Sequence, residues 1–305
     1  MSTVQIKEIC YKNYGKCVEI SNGKVDLVVT VEAGPRIIRY GFTGDKNVFC
    51  DDSKLELEID GEKWRLMGGH RLWSSPEAFP RTYYPDNSAV DWCKVENGIR
   101  LKSKVQPWVQ IEKEIEIVLS PEESKVKILH RITNRNAWDV ELAAWAASVM
   151  APGGKEILPF ATKKSHFSDG AKGARFMTIW AYTKMADPRV NWGNRYVTLQ
   201  QDRNNKEDFK LGISNEDGWA AYLNERNLFI KRYKHFNDAI YPDNGVSYET
   251  YTIDYMLEME SLSPLKLLKP GATVEHTEEW ELYNDVELTL NNENEIDALV
   301  ARYII

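Results

Sequence analysis

The sequence is poor in the residues that most often bind transition metals. It contains five histidines and four cysteines in 305 residues. The histidines are widely scattered, so their spacing predicts no metal cluster. The cysteines (Cys10, Cys17, Cys50 and Cys93) lie in the first third of the chain at unrelated spacings and form no C-x-x-C pair, which is typical of reduced cytosolic thiols. We therefore expect no bound metal and no disulfide framework.

A net positive charge and long hydrophobic runs are also lacking. The formal net charge is −7, which argues against a nucleic-acid-binding surface. The longest apolar stretch, LAAWAASVMAPGG, is much shorter than a membrane span, and the first sixteen residues contain no apolar signal segment. We expect a cytoplasmic protein whose partners include neither nucleic acid nor a membrane, and no pattern predicts its oligomeric state.

Motifs for the commonest cofactor and hydrolase chemistries are missing. The chain has no G-x-G-x-x-G after a strand, no G-x-x-x-x-G-K-[ST], no G-x-S-x-G and no H-E-x-x-H. Nucleotide binding, serine hydrolysis and zinc proteolysis are therefore not predicted, and we expect no cofactor.

Turn signals between alternating apolar and polar segments are abundant. Asn22-Gly23 and Asn97-Gly98 each separate two β-rich runs, which is the strongest local signal for a hairpin. The segment YETYTIDYMLEMESLSPL is predicted to be one long strand. Strands at intervals of eight to twelve residues over the whole length predict an antiparallel all-β sandwich or barrel, which we interpret as a single domain covering residues 1–305.

Helical periodicity is clear only at the end of the chain. In NENEIDALVARYII, Ile296, Leu299, Val300 and Tyr303 fall on one face of a helix. A short C-terminal helix is therefore predicted.

The densest block of polar and aromatic residues runs from Met67 to Asn87. Its glycines and prolines predict a loop rather than a regular strand. Functional side chains concentrate on loops. Aromatic faces combined with planar polar groups suit a sugar, although another polar small molecule would fit as well. The candidate binding residues in the block are Arg71, Trp73, Glu77, Arg81, Tyr83, Asp86 and Asn87, and His70 is a candidate catalytic residue.

Two later segments add candidate site residues. Strand alternation places Glu258 and Glu260 on one face, with Leu257 and Met259 on the other. A carboxyl facing a partly apolar site has a raised pKa, which suits a general base near neutral pH. Lys231 lies on another strand, from which a cation could reach the same site.

The tetrapeptide Tyr-Pro-Asp-Asn occurs twice, at Tyr84–Asn87 and at Tyr241–Asn244. Proline, aspartate and asparagine are all typical turn residues. We interpret Asp243-Asn244 as a turn.

Several segments together resemble the galactose mutarotase-like family, in the branch related to aldose 1-epimerases whose members are mostly described as a domain of unknown function. They are GPRIIRYGF, GGHRLWSSPE, RTYYPDN, ITNRNAWDVELAAWAASVMAPGG, YPDNGVSYETY and LEMESLSPLKLLKPGATVEHTEEWELY. The resemblance covers about residues 25–283. It places both Tyr-Pro-Asp-Asn segments in recurrent parts of the family, which implies that Asp86 and Asn87 lie at the rim of the site. It implies an antiparallel β-supersandwich with a carbohydrate site on its concave sheet, and therefore a monosaccharide or sugar derivative as the partner.

The resemblance also implies an activity. A mutarotase interconverts sugar anomers by general acid–base chemistry, with a glutamate base on a late strand that maps to Glu260, or alternatively to Glu258. The histidine acid that usually follows a Thr-Asn strand is missing from Ile132–Met150, so His70 is the candidate acid. Two alternatives remain, namely a sugar-binding protein without turnover and a glycoside hydrolase or lyase that uses two carboxylates such as Glu77 and Glu260.

Overall fold

The computed structural model describes residues 3–51, 55–160, 175–290 and 292–305. In chain order, the strands of this part are β1 (Gln5–Cys10), β2 (Lys16–Ser21), β3 (Val25–Thr30), β4 (Arg36–Phe42), β5 (Glu56–Ile59), β6 (Glu62–Arg65), β7 (Gly69–Ser75), β8 (Asp91–Val95), β9 (Gly98–Lys102), β10 (Ile111–Leu119), β11 (Lys125–Asn134), β12 (Val140–Met150), β13 (Lys155–Pro159), β14 (Met177–Ile179), β15 (Val190–Trp192), β16 (Tyr196–Gln200), β17 (Phe209–Ile213), β18 (Trp219–Asn224), β19 (Asn227–Tyr233), β20 (Tyr248–Ile253), β21 (Met256–Leu262), β22 (Lys266–Leu268) and β23 (Thr273–Tyr283). Two short turns of helix lie at Arg81–Tyr83 and Pro242–Gly245, and a longer helix covers Glu293–Tyr303.

The strands form two large antiparallel sheets. The first, which we call the front sheet, has the order β1-β2-β3-β4-β7-β12-β21-β20-β17-β14, with β22 paired to the other end of β12. The second, the back sheet, has the order β15-β16-β13-β18-β19-β23-β11-β10-β9-β8. The pair β5-β6 forms a separate small hairpin. The prediction of an antiparallel β-supersandwich is confirmed.

The main core lies between the two sheets. Tyr40 and Phe49 pack against Phe229 and Trp280, with ring centroids 5.4–6.4 Å apart. Such offset and edge-on aromatic contacts stabilise a core beyond the burial of their area. One face of the front sheet packs against this core. The other face of the front sheet, which we call the cleft face, is therefore available for a site.

The predicted C-terminal helix is confirmed at Glu293–Tyr303. The side chain of Asn292 accepts hydrogen bonds from the backbone N–H groups of Asn294 and Glu295 and so caps its first turn. Ile296, Leu299 and Val300 are buried in a second apolar cluster with residues of β18 and β19. The helix therefore covers the outer face of the back sheet, away from the cleft face. Among the described residues, no helix is both long and apolar enough to span a bilayer.

The short-range turn predictions are confirmed. Asn22-Gly23 lies in the turn between β2 and β3, and Gly23 has a φ of 83°. Glu96-Asn97 joins β8 to β9, and Asp243 and Asn244 have φ values of 50° and 66° in the turn that starts at Pro242. These positive φ values are the ones that glycine and asparagine tolerate best.

Two strand predictions are wrong. The segment 248–262 is a hairpin rather than one long strand, because β20 and β21 pair with each other across a turn at Asp254-Tyr255. The block from Met67 to Asn87 was expected to be a loop, but Gly69–Ser75 forms β7, a central strand. All seven residues of β7 are buried because both of its faces are covered, so its sequence lacks the alternation of a strand with one face in water.

Candidate functional site

Five neighbouring strands of the front sheet form the floor of a cleft. Antiparallel pairing places Arg71 of β7 beside Ala147 of β12, and Ala147 beside Glu260 of β21. Glu260 lies beside Glu249 of β20, which in turn pairs with β17. Because side chains alternate between faces, residues opposite one another project to the same side. The cleft encloses about 490 Å³ and is lined by Leu55, Leu57, Trp64, Leu66, Trp73, Glu77, Tyr83, Trp145, Ala147, Trp180, Tyr182, Asp208, Lys210, Tyr251, Met256 and Glu258.

Aromatic rings form the walls of this cleft. Trp73 contacts Trp145 edge-on at 4.9 Å between centroids and Tyr83 at 5.3 Å. Trp64, from the small β5-β6 hairpin, packs beside Trp73 at 6.2 Å. Trp180 contributes a further ring where β14 ends. The indole N–H groups of Trp64 and Trp73 have no hydrogen-bond partner among the described residues.

Lys210 is the central cation of the site. Its ammonium lies 2.8 Å from a carboxylate oxygen of Glu249, 3.5 Å from Glu260 and 4.0 Å from Glu77. It also lies over the rings of Trp145 and Trp180, at 4.8 and 4.6 Å from their centroids. These carboxylates outweigh the cost of burial and hold the pKa of Lys210 well above its usual value. Lys210 is therefore a fixed positive charge.

Two glutamates of β21 face the cleft side but differ in access. Glu260 is completely buried, accepts a 2.8 Å hydrogen bond from the indole N–H of Trp145 and lies beneath Lys210. Glu258 is only half-buried and lines the cleft directly. Burial, reinforced by the nearby Glu260, raises the pKa of Glu258 to about 8. A carboxyl with this pKa is mostly protonated at neutral pH.

The remaining carboxylates of the cleft accept hydrogen bonds from tyrosine hydroxyls. Glu77 accepts a hydrogen bond from the hydroxyl of Tyr83, and Asp208 accepts one from the hydroxyl of Tyr251. Tyr83 and Tyr251 are thereby oriented along the cleft wall. Of the residues proposed from the sequence, Trp73, Glu77, Tyr83 and Glu258 line the cleft.

Other residues of the predicted binding block lie outside the cleft. Arg71 is buried behind the wall, with its guanidinium 4.3 Å from the ring centroid of Trp73. Asp86 is buried beside it rather than at a rim. Arg81 is exposed and donates to the carbonyl of Pro76, while Asn87 is exposed and donates to the carbonyl of Lys63. The interpretation of Asp86 as a rim residue is corrected by its burial.

The structure places His70 and Lys231 between the sheets, away from the cleft. His70 lies on the opposite face of β7 from Arg71 and Trp73, is fully buried and contacts Ser148 and His130 at 2.8 and 2.7 Å. The ammonium of Lys231 lies 2.8 Å from the carbonyl of Met259 and 2.9 Å from Glu278. The predicted pairing of His70 with Glu260 across one bound ring, and a role for Lys231 in the cleft, do not fit this placement.

Three of the histidines nevertheless cluster, contrary to the expectation from their spacing. The ligating atoms of His70, His130 and Glu278 lie within 4.8 Å of one another, and His276 stacks on His130. These residue types could hold a metal. However, the 2.7 Å separation of the two ring nitrogens is that of a hydrogen bond. The Glu278 carboxylate is already bonded to Lys231, Ser261 and Trp280. A satisfied hydrogen-bond network accounts for this cluster. His166 lies outside the described residues.

Lys210, Glu249 and Asp208 were missed by the sequence reasoning. A signal for Lys210 exists in the segment FKLGI, where a lysine interrupts an apolar strand whose five residues are all buried. A buried lysine whose neighbours in the strand are also buried needs a counter-charge, so it predicts nearby carboxylates. Of its partners, Glu77 and Glu260 were predicted as site residues, whereas Glu249 carries no comparable local signal.

No protein-family model and no curated protein sequence matches the chain. Solved structures do match. A galactose mutarotase-like protein from Lactobacillus casei superposes with a TM-score of 0.52 at 10% identity, covering 88% of this chain and all of the other. A galactose mutarotase-like protein from Clostridium acetobutylicum gives 0.51 at 10% identity, covering 93% of this chain and all of the other.

This chain has the galactose mutarotase-like fold. A TPR-domain containing protein from Parabacteroides distasonis also matches, with a TM-score of 0.61 at 12% identity. The match covers 90% of this chain but only 48% of that longer protein. At such identities the likeness extends to the fold and not to the activity. The galactose mutarotase-like fold of this chain therefore positions the cleft, and the side chains that line the cleft determine its chemistry.

Proposed function

We propose that this protein binds a free monosaccharide or a neutral sugar derivative in the cleft and interconverts its anomers by general acid–base catalysis. The observation that carries the proposal is the carboxyl of Glu258, which lines an aromatic-walled cleft with a pKa raised to about 8. A group with a pKa near the working pH is suited to proton transfer.

The walls and floor of the cleft match the two kinds of surface on a sugar. Trp73, Trp145 and Trp180 offer apolar rings for the C–H faces, and Glu77, Asp208 and Glu258 offer acceptors for the hydroxyl groups. Lys210 is the single cation among the described lining residues and is already surrounded by carboxylates. This charge distribution favours an uncharged sugar over a sugar phosphate.

The proposed reaction needs one proton donor and one proton acceptor. Glu258 in its protonated form donates a proton to the ring oxygen, and Glu77 removes the proton of the anomeric hydroxyl. The bond between the anomeric carbon and the ring oxygen then breaks, and an open-chain aldehyde forms. Rotation of the aldehyde followed by the reverse proton transfers closes the ring to the other anomer, with no net gain or loss of protons. Glu260 does not take part in the proton transfers; it lies beneath Glu258 and adds to the effect of burial in raising the pKa of Glu258.

Sugar binding without turnover is the second candidate. It is favoured by the lining of the cleft, which contains no histidine among the described residues. Hydrolysis or elimination by a carboxylate pair such as Glu77 and Glu258 is a third activity that the same residues would permit, and it differs in its products.

Anomer exchange measured by NMR tests the proposal. Wild-type protein should accelerate exchange of a neutral aldose. Glu258→Gln should slow exchange by about 10²–10⁴-fold while changing affinity less than tenfold, because the amide keeps the shape of the carboxyl. Glu141→Gln is the matched control, since Glu141 is an exposed strand glutamate of the same sheet. Binding without any exchange would favour the second candidate, and release of reducing ends from oligosaccharides would identify the third.

A further inference from the structure

A group of three buried cations surrounds one buried carboxylate behind the aromatic wall of the cleft. Arg36 of β4, Arg71 of β7 and Lys113 of β10 approach the same oxygen of Asp86, at 3.8, 4.0 and 3.5 Å. The side chains of the three cations are at most 3% exposed. The amide of Gln106 donates a 2.9 Å hydrogen bond to the other oxygen of Asp86.

The charges of this group do not balance. Three cations and one carboxylate give a formal charge of +2, and among the described residues no other carboxylate lies within ion-pair distance of Arg36, Arg71 or Lys113. Leaving buried charge unpaired is costly. Burial, with the nearby Arg71 and Arg36, lowers the pKa of Lys113 to about 8 although Asp86 opposes the shift, as expected when cations outnumber anions. A further negative charge would therefore stabilise the folded protein.

The donors of this group are also unsatisfied. All three guanidinium nitrogens of Arg71 and the Nε of Arg36 are buried and have no hydrogen-bond partner among the described residues. The contacts of Arg36 and Arg71 to Asp86, at 3.8 and 4.0 Å, are longer than hydrogen bonds, so Asp86 does not satisfy these donors. Buried arginine donors without partners are rare in folded proteins, and an unplaced ion is one explanation for them.

We propose that a small monovalent anion of about the size of chloride binds among Arg36, Arg71 and Lys113. It would accept hydrogen bonds from the unpaired guanidinium groups and reduce the formal charge of the group from +2 to +1. A free inorganic anion fits better than the acidic group of a sugar, because Trp64 and Trp73 cover the Arg71 guanidinium at 5.3 and 4.3 Å on the side of the cleft. The anion would fix Arg71 and, through it, the aromatic wall.

Thermal denaturation at constant ionic strength tests the proposal. Chloride and bromide should raise the melting temperature by about 2–4 °C relative to methanesulfonate, which is too large for an enclosed group, because an anion that binds only the folded state stabilises it. Lys113→Gln should reduce this halide effect at least by half. Lys127→Gln should keep it, since Lys127 is an exposed lysine of the neighbouring strand β11. Equal melting temperatures in halide and methanesulfonate would overturn the proposal.

Two further experiments test the anion site with the wild-type protein, so they do not depend on how well the variants fold. Crystals of the wild-type protein soaked in bromide should show an anomalous peak in contact with the guanidinium groups of Arg36 and Arg71, and its absence would count against the site. Glucuronate, a sugar that carries a carboxylate, tests the other source of an anion. Stabilisation by glucuronate but not by chloride would mean that the anion belongs to a ligand of the cleft, and the proposal would then be wrong.

Discussion

Glu258 and Glu260 project from the same face of β21, yet only Glu258 reaches the cleft. Trp145 and Lys210 hold Glu260 underneath, where one of its oxygens has no hydrogen-bond partner among the described residues. Burial raises the pKa of Glu258, and the nearby Glu260 raises it further, so the buried carboxyl acts on the accessible one. The pair thus combines a proton-carrying group in the cleft with a neighbour that tunes it.

The first prediction concerns the pH dependence of exchange. If protonated Glu258 is the acid, the rate should be maximal below a pH of about 8 and fall up to tenfold per pH unit above it, as the carboxyl ionises. NMR exchange rates between pH 6 and 9.5 measure this. Glu258→Gln should remove the alkaline decline, and a decline that survives in this variant would assign it to another group.

The second prediction concerns the aromatic wall. Trp180→Ala should weaken sugar binding by about five- to tenfold, because it removes an aromatic face worth about 1 kcal/mol. Trp138→Ala should leave affinity unchanged, since Trp138 is 66% exposed and does not line the cleft. Isothermal titration with the sugar that binds best provides the measurement. Equal losses in both variants would argue against the cleft as the binding site.

The third prediction concerns Lys210. Lys210→Met should reduce the free energy of unfolding by about 3–5 kcal/mol at pH 7, because Glu249 and Glu260 lose their buried counter-ion. The loss should shrink at pH 5, where these carboxyls are protonated more readily. Lys184→Met is the control, since Lys184 forms a largely exposed ion pair with Glu207 and should cost at most about 1 kcal/mol. Urea denaturation at both pH values checks this.

The fourth prediction concerns the stability of the core. Burial raises the pKa of Glu156 from 4.5 to about 8, and its oxygens accept hydrogen bonds from Tyr248 and Thr250 at 2.7 and 2.5 Å. Between these pH values the folded state holds a proton that the unfolded chain has lost. The contribution of Glu156 is therefore complete below pH 4.5 and is lost as the pH rises to 8, at up to about 1.4 kcal/mol per pH unit.

Glu156→Gln should flatten this part of the stability profile, because the amide stays neutral. Chemical denaturation of the variant and of Glu141→Gln at pH 5, 6.5 and 8 provides the comparison. An unchanged slope in Glu156→Gln would show that the carboxyl does not titrate in this range.

The fifth prediction concerns domain organisation. Unfolding should occur in one cooperative transition, because the two sheets share a single main core. Differential scanning calorimetry should show one peak. Two resolved peaks, or a stable proteolytic half, would contradict the prediction of one domain over residues 1–305.

Local sequence rules determined a large part of this molecule. The hairpin at Asn22-Gly23 and the turn at Asp243-Asn244 follow from backbone preferences that act over a few residues. The common face of Glu258 and Glu260 follows from strand alternation in the same way. The C-terminal helix follows from its spacing of apolar residues and from Asn292 as its cap.

Tertiary structure alone decided which of two strand faces meets the core. In β7 both faces are buried, so the sequence shows that His70 and Arg71 point in opposite directions but not which of them points to the cleft. The sheet order also joins β7, β12, the β20-β21 hairpin and β17, which are separated by long stretches of sequence, and so places Lys210 among Glu77, Glu249 and Glu260. Pairing over such distances depends on the packing of the whole core, which no short stretch of sequence encodes.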